Sequence, residues 1–326
     1  MPGHHPFYTG VLAICAAFAT PVALAQAVSY PTKPVTIVVP NPPGGVVDTS
    51  ARLVSDSLAR QLGQAVVIDN RAGGSGNIAY QLVARAPKDG YTLLASYSAY
   101  HVGNPAMFAK LPWSQKDLVP VALIAVATNV ITVNPALPAN NLKEFIAYLK
   151  QNPGKVNYAS QGNGSLSHVG TELFTQVTQT RMTHVPYKGS GPAIQDVLAG
   201  QVQVFITTPP SVIGHVQTGK LKALAVTSKT RHPMLPAVPT TAEAGLPGFE
   251  LEAWVGLFAP AGTPPEVIAK LSENVKKVLE QPETRKRADT VGIEARYMDP
   301  AGLGALVTKD TEYWGKIIKA RNITAD

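Results

Sequence analysis

The stretch IVVPNPPGGVVDTSARLVSDSLARQLG, residues 37–63, decides the fold class of this chain. It opens inside a run of strand-forming side chains at residues 35–39, and residues 48–62 have the apolar spacing of an amphipathic helix. Between them stand three prolines and two glycines, so a buried strand leads into a helix almost at once. The stretch therefore predicts a β–α unit with open backbone amides at the start of its helix.

Outward from this stretch, strand and helix patterns alternate along both halves of the chain. The predicted strands are residues 65–68, 91–95, 156–159, 182–186, 202–207, 221–226 and 253–258. The predicted helices are residues 77–86, 141–151, 166–178, 193–198, 264–279 and 300–320. This alternation predicts parallel βαβ units and an α/β fold in two halves. The second half begins near residue 128, which indicates crossings between the halves near residues 127–131 and 252–257.

The composition is that of an ordinary globular protein. The 326 residues are 45% hydrophobic and 15% charged, enough for a sizeable core and about two domains. The formal net charge is +7, but the basic residues of the C-terminal helices alternate with acidic ones, as on a solvated helix face. Clustered bases with stacking aromatics are missing, so we expect no nucleic acid partner.

Residues 1–25 have the anatomy of a secretory signal peptide. The apolar run at residues 11–20 is too short to span a bilayer, and an A-x-A pattern at residues 23–25 follows it. Cleavage after Ala25 would remove Cys15, the single cysteine, and leave a periplasmic chain with no disulfide and no cysteine metal site. A buried first helix is the alternative interpretation.

Three glycine-rich segments, residues 40–48, 160–168 and 187–193, each stand between a predicted strand and a predicted helix. In open α/β sheets, ligands bind beyond the carboxyl ends of the strands, where unpaired amides and the helix dipole attract an anion. One such loop is usually only a turn, but three, spread over both halves, indicate a shared cleft. Because phosphate-binding glycine motifs are absent, a carboxylate is the expected anion, with Lys188 the nearest cation.

Signals for catalysis are weak. Ser167 and His168 are adjacent, but no G-x-S-x-G elbow or third triad member accompanies them. His168 and Glu172 are four residues apart without an H-E-x-x-H motif, so a polar contact at a helix start is favoured over a metal ligand or base. We therefore expect a binding protein with no metal and no cofactor, and an extracytoplasmic hydrolase is the competing class.

Several longer motifs add a family resemblance to this interpretation. They are PGGVVD at residues 43–48, VIDNR at 67–71, APKDGYTL at 86–93, HVPYKG at 184–189 and APAGTP at 259–264. With them the chain resembles the solute-binding receptors of the tripartite tricarboxylate transporter family, often called the Bug type. The resemblance extends over essentially all of the chain after the predicted signal peptide.

The resemblance implies an α/β fold of the two-lobed periplasmic-binding-protein type II, or Venus flytrap, architecture. Residues 26–128 and 255–326 would form lobe 1, residues 129–254 lobe 2, and two crossover strands would join them. It also implies a monomer that captures a small carboxylate and delivers it to a membrane transporter with one large and one small subunit. A ligand-sensing subunit of a membrane signalling protein is the alternative.

The resemblance also assigns site residues in the three loops. Those implied to hold the proximal carboxylate are Gly44, Gly45, Ser160, Gly164 and Ser165. The other candidate ligand-binding residues of these loops are Asn41, Pro43, Gly162, His168, Tyr187 and Lys188.

This sequence departs from the family pattern where the rest of the ligand would lie. Pro42 replaces a bulky aromatic residue, and Tyr97 and Tyr100 replace small ones. Thr207 and Thr208 stand where the family commonly has an acidic residue. We therefore add these tyrosines and threonines to the candidate site and expect no amino-acid ligand. Aromatic and aliphatic carboxylates remain equally open, as does the alternative that the tyrosines face outward.

Overall fold

The structure of the protein is a computed structural model that describes residues 1–4, 30–320 and 323–324. The predicted signal peptide, beyond its first four residues, lies outside this described part of the chain. Two units are distinguished, Met1–Tyr30 and Pro31–Asp326, and every helix and strand given below belongs to the second. Within the described ranges, no helix combines the length and the apolar character that a membrane span requires.

Strands and helices alternate along most of the second unit, as predicted. The strands are Val35–Val39 (β1), Val66–Asn70 (β2), Thr92–Tyr97 (β3), Leu118–Thr128 (β4), Val130–Val133 (β5), Asn157–Ser160 (β6), Thr183–Pro186 (β7), Val204–Thr207 (β8), Lys222–Val226 (β9), Glu252–Pro260 (β10) and Glu294–Met298 (β11). The helices are Val46–Leu62 (α1), Asn77–Ala84 (α2), Asn104–Met107 (α3), Leu142–Gln151 (α4), Leu166–Thr178 (α5), Ser190–Leu198 (α6), Pro209–Gln217 (α7), Pro265–Glu280 (α8), Pro282–Thr290 (α9) and Pro300–Ala320 (α10). The alternation is interrupted where β5 follows β4, β10 follows β9 and α9 follows α8.

The strands form two sheets. The first has the order β11-β4-β10-β3-β1-β2 and the second the order β7-β6-β8-β5-β9. The predicted parallel pairing is confirmed between β1 and its neighbours β2 and β3, and between β6 and its neighbours β7 and β8. Strands β4, β5 and β10 pair antiparallel with their neighbours. Both sheets are therefore mixed, because these strands carry the chain from one sheet to the other and back.

The two passages between the sheets lie side by side. Strand β4 leads into β5 across Asn129, as the predicted crossing near residues 127–131 required. The return passage enters β10 after Leu251, where Thr227 Oγ1 donates to the Leu251 carbonyl at 2.7 Å. The Asn129 amide donates to Thr227 Oγ1 at 2.9 Å, so hydrogen bonds join both passages. The lobe boundaries predicted above stay a prediction.

Apolar side chains fix the sheets and thereby the loops at their ends. Ile37, Leu93 and Leu94 of the first sheet have no more than 1% of their surface exposed. The second sheet has apolar clusters that include Phe145 and Phe174 on the α4–α5 side. Burying each such side chain contributes about 1.5–3 kcal/mol. Strands β1 and β6, which precede the first two glycine-rich loops, are therefore held by a buried core. Strand β7, before the third loop, is a partly exposed edge strand that pairs with β6.

Candidate functional site

The three glycine-rich loops meet between the two sheets, as the sequence predicted. A Cβ atom built on Gly189 would stand 3.0 Å from Cγ of Pro42, and one built on Gly45 would stand 3.7 Å from Ser190 Oγ. The loop after β1 therefore touches the loop after β7. A Cβ atom on Gly162 would lie 3.1 Å from the Tyr187 carbonyl oxygen, so the loop after β6 joins them.

Two cavities lie where these loops meet. The outer cleft has a volume of about 570 Å³ and is lined by Pro40, Asn41, Pro42, Ala72, Gly73, Gly74, Ser75, Gly76, Tyr100, Gln161, Gly162, Asn163, Pro186, Tyr187, Lys188 and Gly189. The inner cavity is lined by Asn41, Pro42, Gly45, Val46, Val47, Tyr97, Gln161, Gly189 and Ser190. Its volume of about 10 Å³ is close to the least space that one water molecule needs.

Helices α1 and α6 both begin at the inner cavity without a capping side chain. Their N-cap residues are Gly45 and Gly189, and neither offers a side-chain acceptor. The first amides of a helix have no partner within the helix, and the helix dipole makes this end positive. Val46, Val47 and Ser190 line the cavity at these two ends. The arrangement is suited to hold an anion between two helix N-termini.

The first loop is held in shape by the buried carboxylate of Asp48. It accepts from the Gly44 amide at 3.0 Å, from Arg52 Nε at 3.0 Å and from Asn70 Nδ2 at 3.1 Å. Burial alone would raise the pKa of Asp48, but these bonds, led by that of Arg52, hold it below its usual range. The Gly44 amide is thus already paired, and its predicted contact with a carboxylate stays a prediction.

The hydroxyls of the second loop are paired within the loop. Ser165 is the N-cap of α5, where it accepts from the His168 amide, and its Oγ donates to the Gly162 carbonyl at 2.7 Å. Ser160 Oγ accepts from the Gly162 amide at 3.2 Å and lies 2.6 Å from His184 Nε2. Both serines are fully buried. A ligand contact with either hydroxyl would therefore replace one of these bonds.

His168, in the first turn of α5, holds the second loop by a hydrogen bond and a ring contact. Its Nδ1 accepts from the Gly164 amide at 3.1 Å, and its ring stacks on that of His184 at 3.9 Å between centroids. Burial lowers the pKa of His168 to about 4, so the ring is neutral at pH 7. This is the polar contact at a helix start that the sequence favoured. Among the described residues, no group of three or more His, Cys, Asp or Glu side chains could hold a metal ion.

Tyr97 and Tyr100 are buried, so the alternative that they face outward is wrong. Their rings meet edge to face with centroids 5.2 Å apart, and the ring of Tyr100 packs against Gly76. Asn41 Nδ2 donates to the Tyr100 hydroxyl at 3.3 Å. Tyr97 faces the inner cavity and Tyr100 the outer cleft. Because the two rings touch, a ligand ring does not fit between them.

The remaining predicted residues divide into those at the cleft and those beside it. Tyr187 and Lys188 line the outer cleft, and Lys188 is exposed. Thr207 ends β8 and Thr208 is the N-cap of α7. Both are buried, and neither lines a cavity. Pro43 is exposed at the tip of the first loop and also lines neither cavity.

Gln161 and Ser190 are two cavity residues outside the candidate set predicted from the sequence. Gln161 lines both cavities, and its Nε2 donates to Ser190 Oγ at 2.7 Å and to Thr207 Oγ1 at 3.2 Å. Both stand inside predicted loops, next to Ser160 and Gly189. Their position beside a strand end and a helix start is the signal that could have found them.

Two mixed sheets joined by neighbouring strands, with uncapped helix N-termini facing a cleft between them, define the class of two-lobed solute-binding proteins. A model of the tripartite tricarboxylate transporter family receptor matches residues 50–323, and the chain belongs to this family. The protein is therefore a solute-binding receptor and not an enzyme.

Relatives of known sequence match almost the whole chain. The UPF0065 protein in the tcbD-tcbE intergenic region of Pseudomonas sp. (strain P51) is 38% identical over 91% of this chain and 89% of its own length. Protein BugT of Bordetella pertussis is 35% identical over 95% of this chain and 97% of its own.

Solved structures are similar over the same extent. R. palustris Rpa4515 with adipate has a TM-score of 0.87 and 36% identity, and the match covers 90% of this chain and 99% of that one. MatC (Rpa3494) from Rhodopseudomonas palustris with bound malate has a TM-score of 0.82 and 35% identity, with 89% and 100% covered. The periplasmic binding protein BugD has a TM-score of 0.85 and 32% identity, with 90% and 99% covered.

Proposed function

We propose that this receptor captures a small carboxylate between its two sheets. The observation that carries the proposal is the pair of uncapped helix N-termini, those of α1 and α6, at one inner cavity. One carboxylate oxygen would lie there, at Gly45 and Ser190. The rest of the ligand would extend into the outer cleft toward Tyr100, Tyr187 and Lys188.

The energetics of this capture are sufficient. A hydrogen bond to a charged group contributes about 1.5–3 kcal/mol, and micromolar binding requires about 8 kcal/mol. Four or five amides and hydroxyls would supply that free energy after the cost of closing the cleft. The neighbouring structures with adipate and malate support a carboxylate, since both ligands carry two of them.

The charges at the site argue against an amino-acid ligand. Among the described residues that line the two cavities, Lys188 is the one with a charged side chain, and none is acidic. An ammonium group would lie near two positive helix ends with no anionic partner, which is unfavourable in a buried site. The ligand class that fits is a carboxylate without an ammonium group, with a second polar group that reaches toward Lys188.

The family supports a transport role. We infer that residues 1–25 direct export to the periplasm and that the receptor delivers its solute to the large and small membrane subunits of a tripartite transporter. The name of the family and the periplasmic neighbour BugD support this inference. Deletion of the membrane-subunit genes should abolish uptake of the solute while leaving its binding to the purified receptor intact.

Gly45→Leu tests the inner cavity directly. The N-cap backbone of Gly45, with φ −87°, accepts a leucine, whose side chain would fill the cavity. The carboxylate would then lose at least two charge-assisted bonds of about 1.5–3 kcal/mol each, so its affinity should fall by at least about 100-fold. Thermal shifts against adipate, malate, glutamate and aspartate find the ligand, and calorimetry measures its affinity.

The control is Gly214→Leu, at an exposed helix position where a Cβ atom would meet no other atom within 4 Å. It should bind as the wild type does. Full affinity in a folded Gly45→Leu variant, or stabilisation of the wild type by glutamate or aspartate alone, would refute the proposed site.

A further inference from the structure

The side chain of Ser75 bridges the two sheets at the edge of the outer cleft. Ser75 lies in the loop between β2 and α2, on the side of the first sheet, and Asn163 lies in the loop after β6, on the side of the second. Ser75 Oγ donates to the Asn163 carbonyl at 2.8 Å. Both residues line the cleft, so the bond spans its mouth.

The backbone of Ser75 is strained. Its φ of 52° and ψ of 42° are left-handed, and it is one of two described non-glycine residues with positive φ. This conformation costs an ordinary residue about 1–2 kcal/mol, and glycine adopts it freely. Glycines stand on both sides of Ser75, so the position would suit a third one. The hydroxyl that glycine would lack is the group that reaches Asn163.

Side chains behind the loop hold Ser75 in this conformation. Asn104 Nδ2 donates to the Ser75 carbonyl at 2.9 Å and to Asn77 Oδ1 at 3.0 Å. Trp113 Nε1 donates to the same Asn77 oxygen at 2.7 Å. Asn104 is fully buried, so these bonds are shielded from water. Strained residues that are held so firmly are typical of functional positions.

An apolar contact between the same two sides lies beside this bond. Met107, at the end of α3, belongs to the same buried apolar cluster as Val169 of α5. A Cβ atom on Gly164 would stand 2.6 Å from Met107 Cε, so the lack of a side chain at Gly164 lets the methionine approach. The polar contact at Ser75 and the apolar contact at Met107 thus join the same two sides of the cleft.

We propose that Ser75 is a positioning residue for ligand capture, whose strained backbone aims its hydroxyl across the cleft so that the bond to Asn163 holds the closed form over the solute. The proposal rests on the proposed function, because closure is what retains the ligand. Ser75 acts on the loop that covers the ligand, and the bond joins uncharged groups, so its effect does not depend on salt.

Two substitutions separate the hydroxyl from the strain. Ser75→Gly removes both, so the unliganded fold should melt no lower than the wild type while the ligand dissociates faster. Ser75→Ala removes the hydroxyl and keeps the strain. The ligand should therefore dissociate as fast as from Ser75→Gly, and the unliganded variant should melt no higher than the wild type. The loss of one hydrogen bond predicts a dissociation rate about 2- to 10-fold higher in both variants.

Thr183→Val is the matched control. Thr183 Oγ1 also donates to a backbone carbonyl, that of Gly154, at 2.9 Å, but both groups belong to the side of the second sheet. The control should leave dissociation unchanged.

Closure is measured with spin labels at Leu82→Cys on α2 and Val177→Cys on α5, both exposed, in a Cys15→Ser background. Distances are recorded without ligand and with saturating adipate or malate, whichever raises the melting temperature more. Ser75→Gly and Ser75→Ala should each shift the population from the shorter to the longer distance, and dissociation is followed by stopped flow.

The outcomes separate the two proposals. If no carboxylate stabilises the wild type, the proposed function fails, and the closed fraction without ligand still decides the role of Ser75. A Ser75→Gly variant with the closed fraction and dissociation rate of the wild type overturns the role of Ser75. A wild type that never populates the shorter spin-label distance also overturns it. The same holds if the Thr183→Val variant populates the longer distance as much as the two serine variants do.

Discussion

Gln161 lines both the inner cavity and the outer cleft, and its amide donates to Ser190 and Thr207. Its side chain is neutral and 7% exposed, beside two positive helix ends. A negative charge at this position would interact with the two positive helix ends and would repel the ligand carboxylate that we place there. The residue is therefore a sensitive probe of the sign of the ligand charge.

Gln161→Glu should bind a carboxylate far more weakly at pH 7. Two like charges about 4 Å apart repel by about 4 kcal/mol at the effective dielectric constant of a protein surface. As the pH falls and the new glutamate takes up a proton, the affinity relative to the wild type should recover. Calorimetry at pH 7 and pH 5 measures both effects.

Gln203→Glu is the control, because its Oε1 keeps the bond from the Asn157 amide and the residue lies away from both cavities. It should leave the affinity unchanged at either pH. A Gln161→Glu variant with the affinity of the wild type at pH 7 would place the carboxylate elsewhere.

At the scale of an element, the start of α1 depends on Asp48, which ties the first loop to Arg52 and Asn70. Its lowered pKa means that the carboxylate stabilises the fold at pH values above the unfolded pKa of about 4. That contribution is lost as the pH falls through the still lower folded pKa. The helix start at the cavity is thus preformed at neutral pH.

Asp48→Asn should lower the free energy of unfolding by about 1–3 kcal/mol at pH 7, because Arg52 and the Gly44 amide lose a buried charged acceptor. The difference from the wild type should shrink below pH 4. Asp69→Asn, which breaks the exposed pair with Arg71 at 2.9 Å, should cost at most about 1 kcal/mol. Urea unfolding at pH 7 and below pH 4 measures the free energy of unfolding. Equal losses in Asp48→Asn and Asp69→Asn at pH 7 would contradict the prediction.

Local sequence patterns predicted most helices and strands. The elements that were missed lack a clear periodicity of apolar residues. Strand β4 is a nearly continuous apolar run, which does not distinguish strand from helix, and its Pro120 argues against a strand. The structure tolerates this proline beside an irregularity in the register with β10. Helix α9 is polar on all sides, and α7 and β11 are short, so none of the three was predicted.

For the site, the sequence predicted that three loops share one cleft, and their contacts confirm it. It could not predict which polar groups the loops use among themselves, such as the Gly44 amide on Asp48 or the Ser165 hydroxyl on Gly162. Those pairings depend on how the loops fold in three dimensions. The contact of Ser75 with Asn163 joins residues 88 positions apart and has no local signal.

At the scale of the whole molecule, Thr227 hydrogen-bonds to both passages between the sheets. Thr227→Val should lower the free energy of unfolding by about 1–3 kcal/mol, since the buried Asn129 amide loses its acceptor. It should also raise the association and dissociation rates together, because the same bonds resist rotation of the sheets. Stopped-flow binding and urea unfolding measure the two effects.

Thr132→Val serves as the comparison. Its hydroxyl donates to the Phe205 carbonyl at 2.6 Å and is equally buried, but both residues lie within the second sheet. It should lower stability without changing the rates. Unchanged rates in Thr227→Val would remove this residue from the hinge.

The strands β4 and β10 run beside each other over their full paired length, from Glu252 opposite Thr128 to Pro260 opposite Leu118. The two passages between the sheets leave these strands side by side, so we expect the sheets to rotate about them more easily than they slide or twist. A bound solute would then set one angle between the sheets. Any outer surface that spans both sheets would move along one arc, whatever the chemical identity of the solute. A partner that touches such a surface can register occupancy as geometry, without ever contacting the ligand.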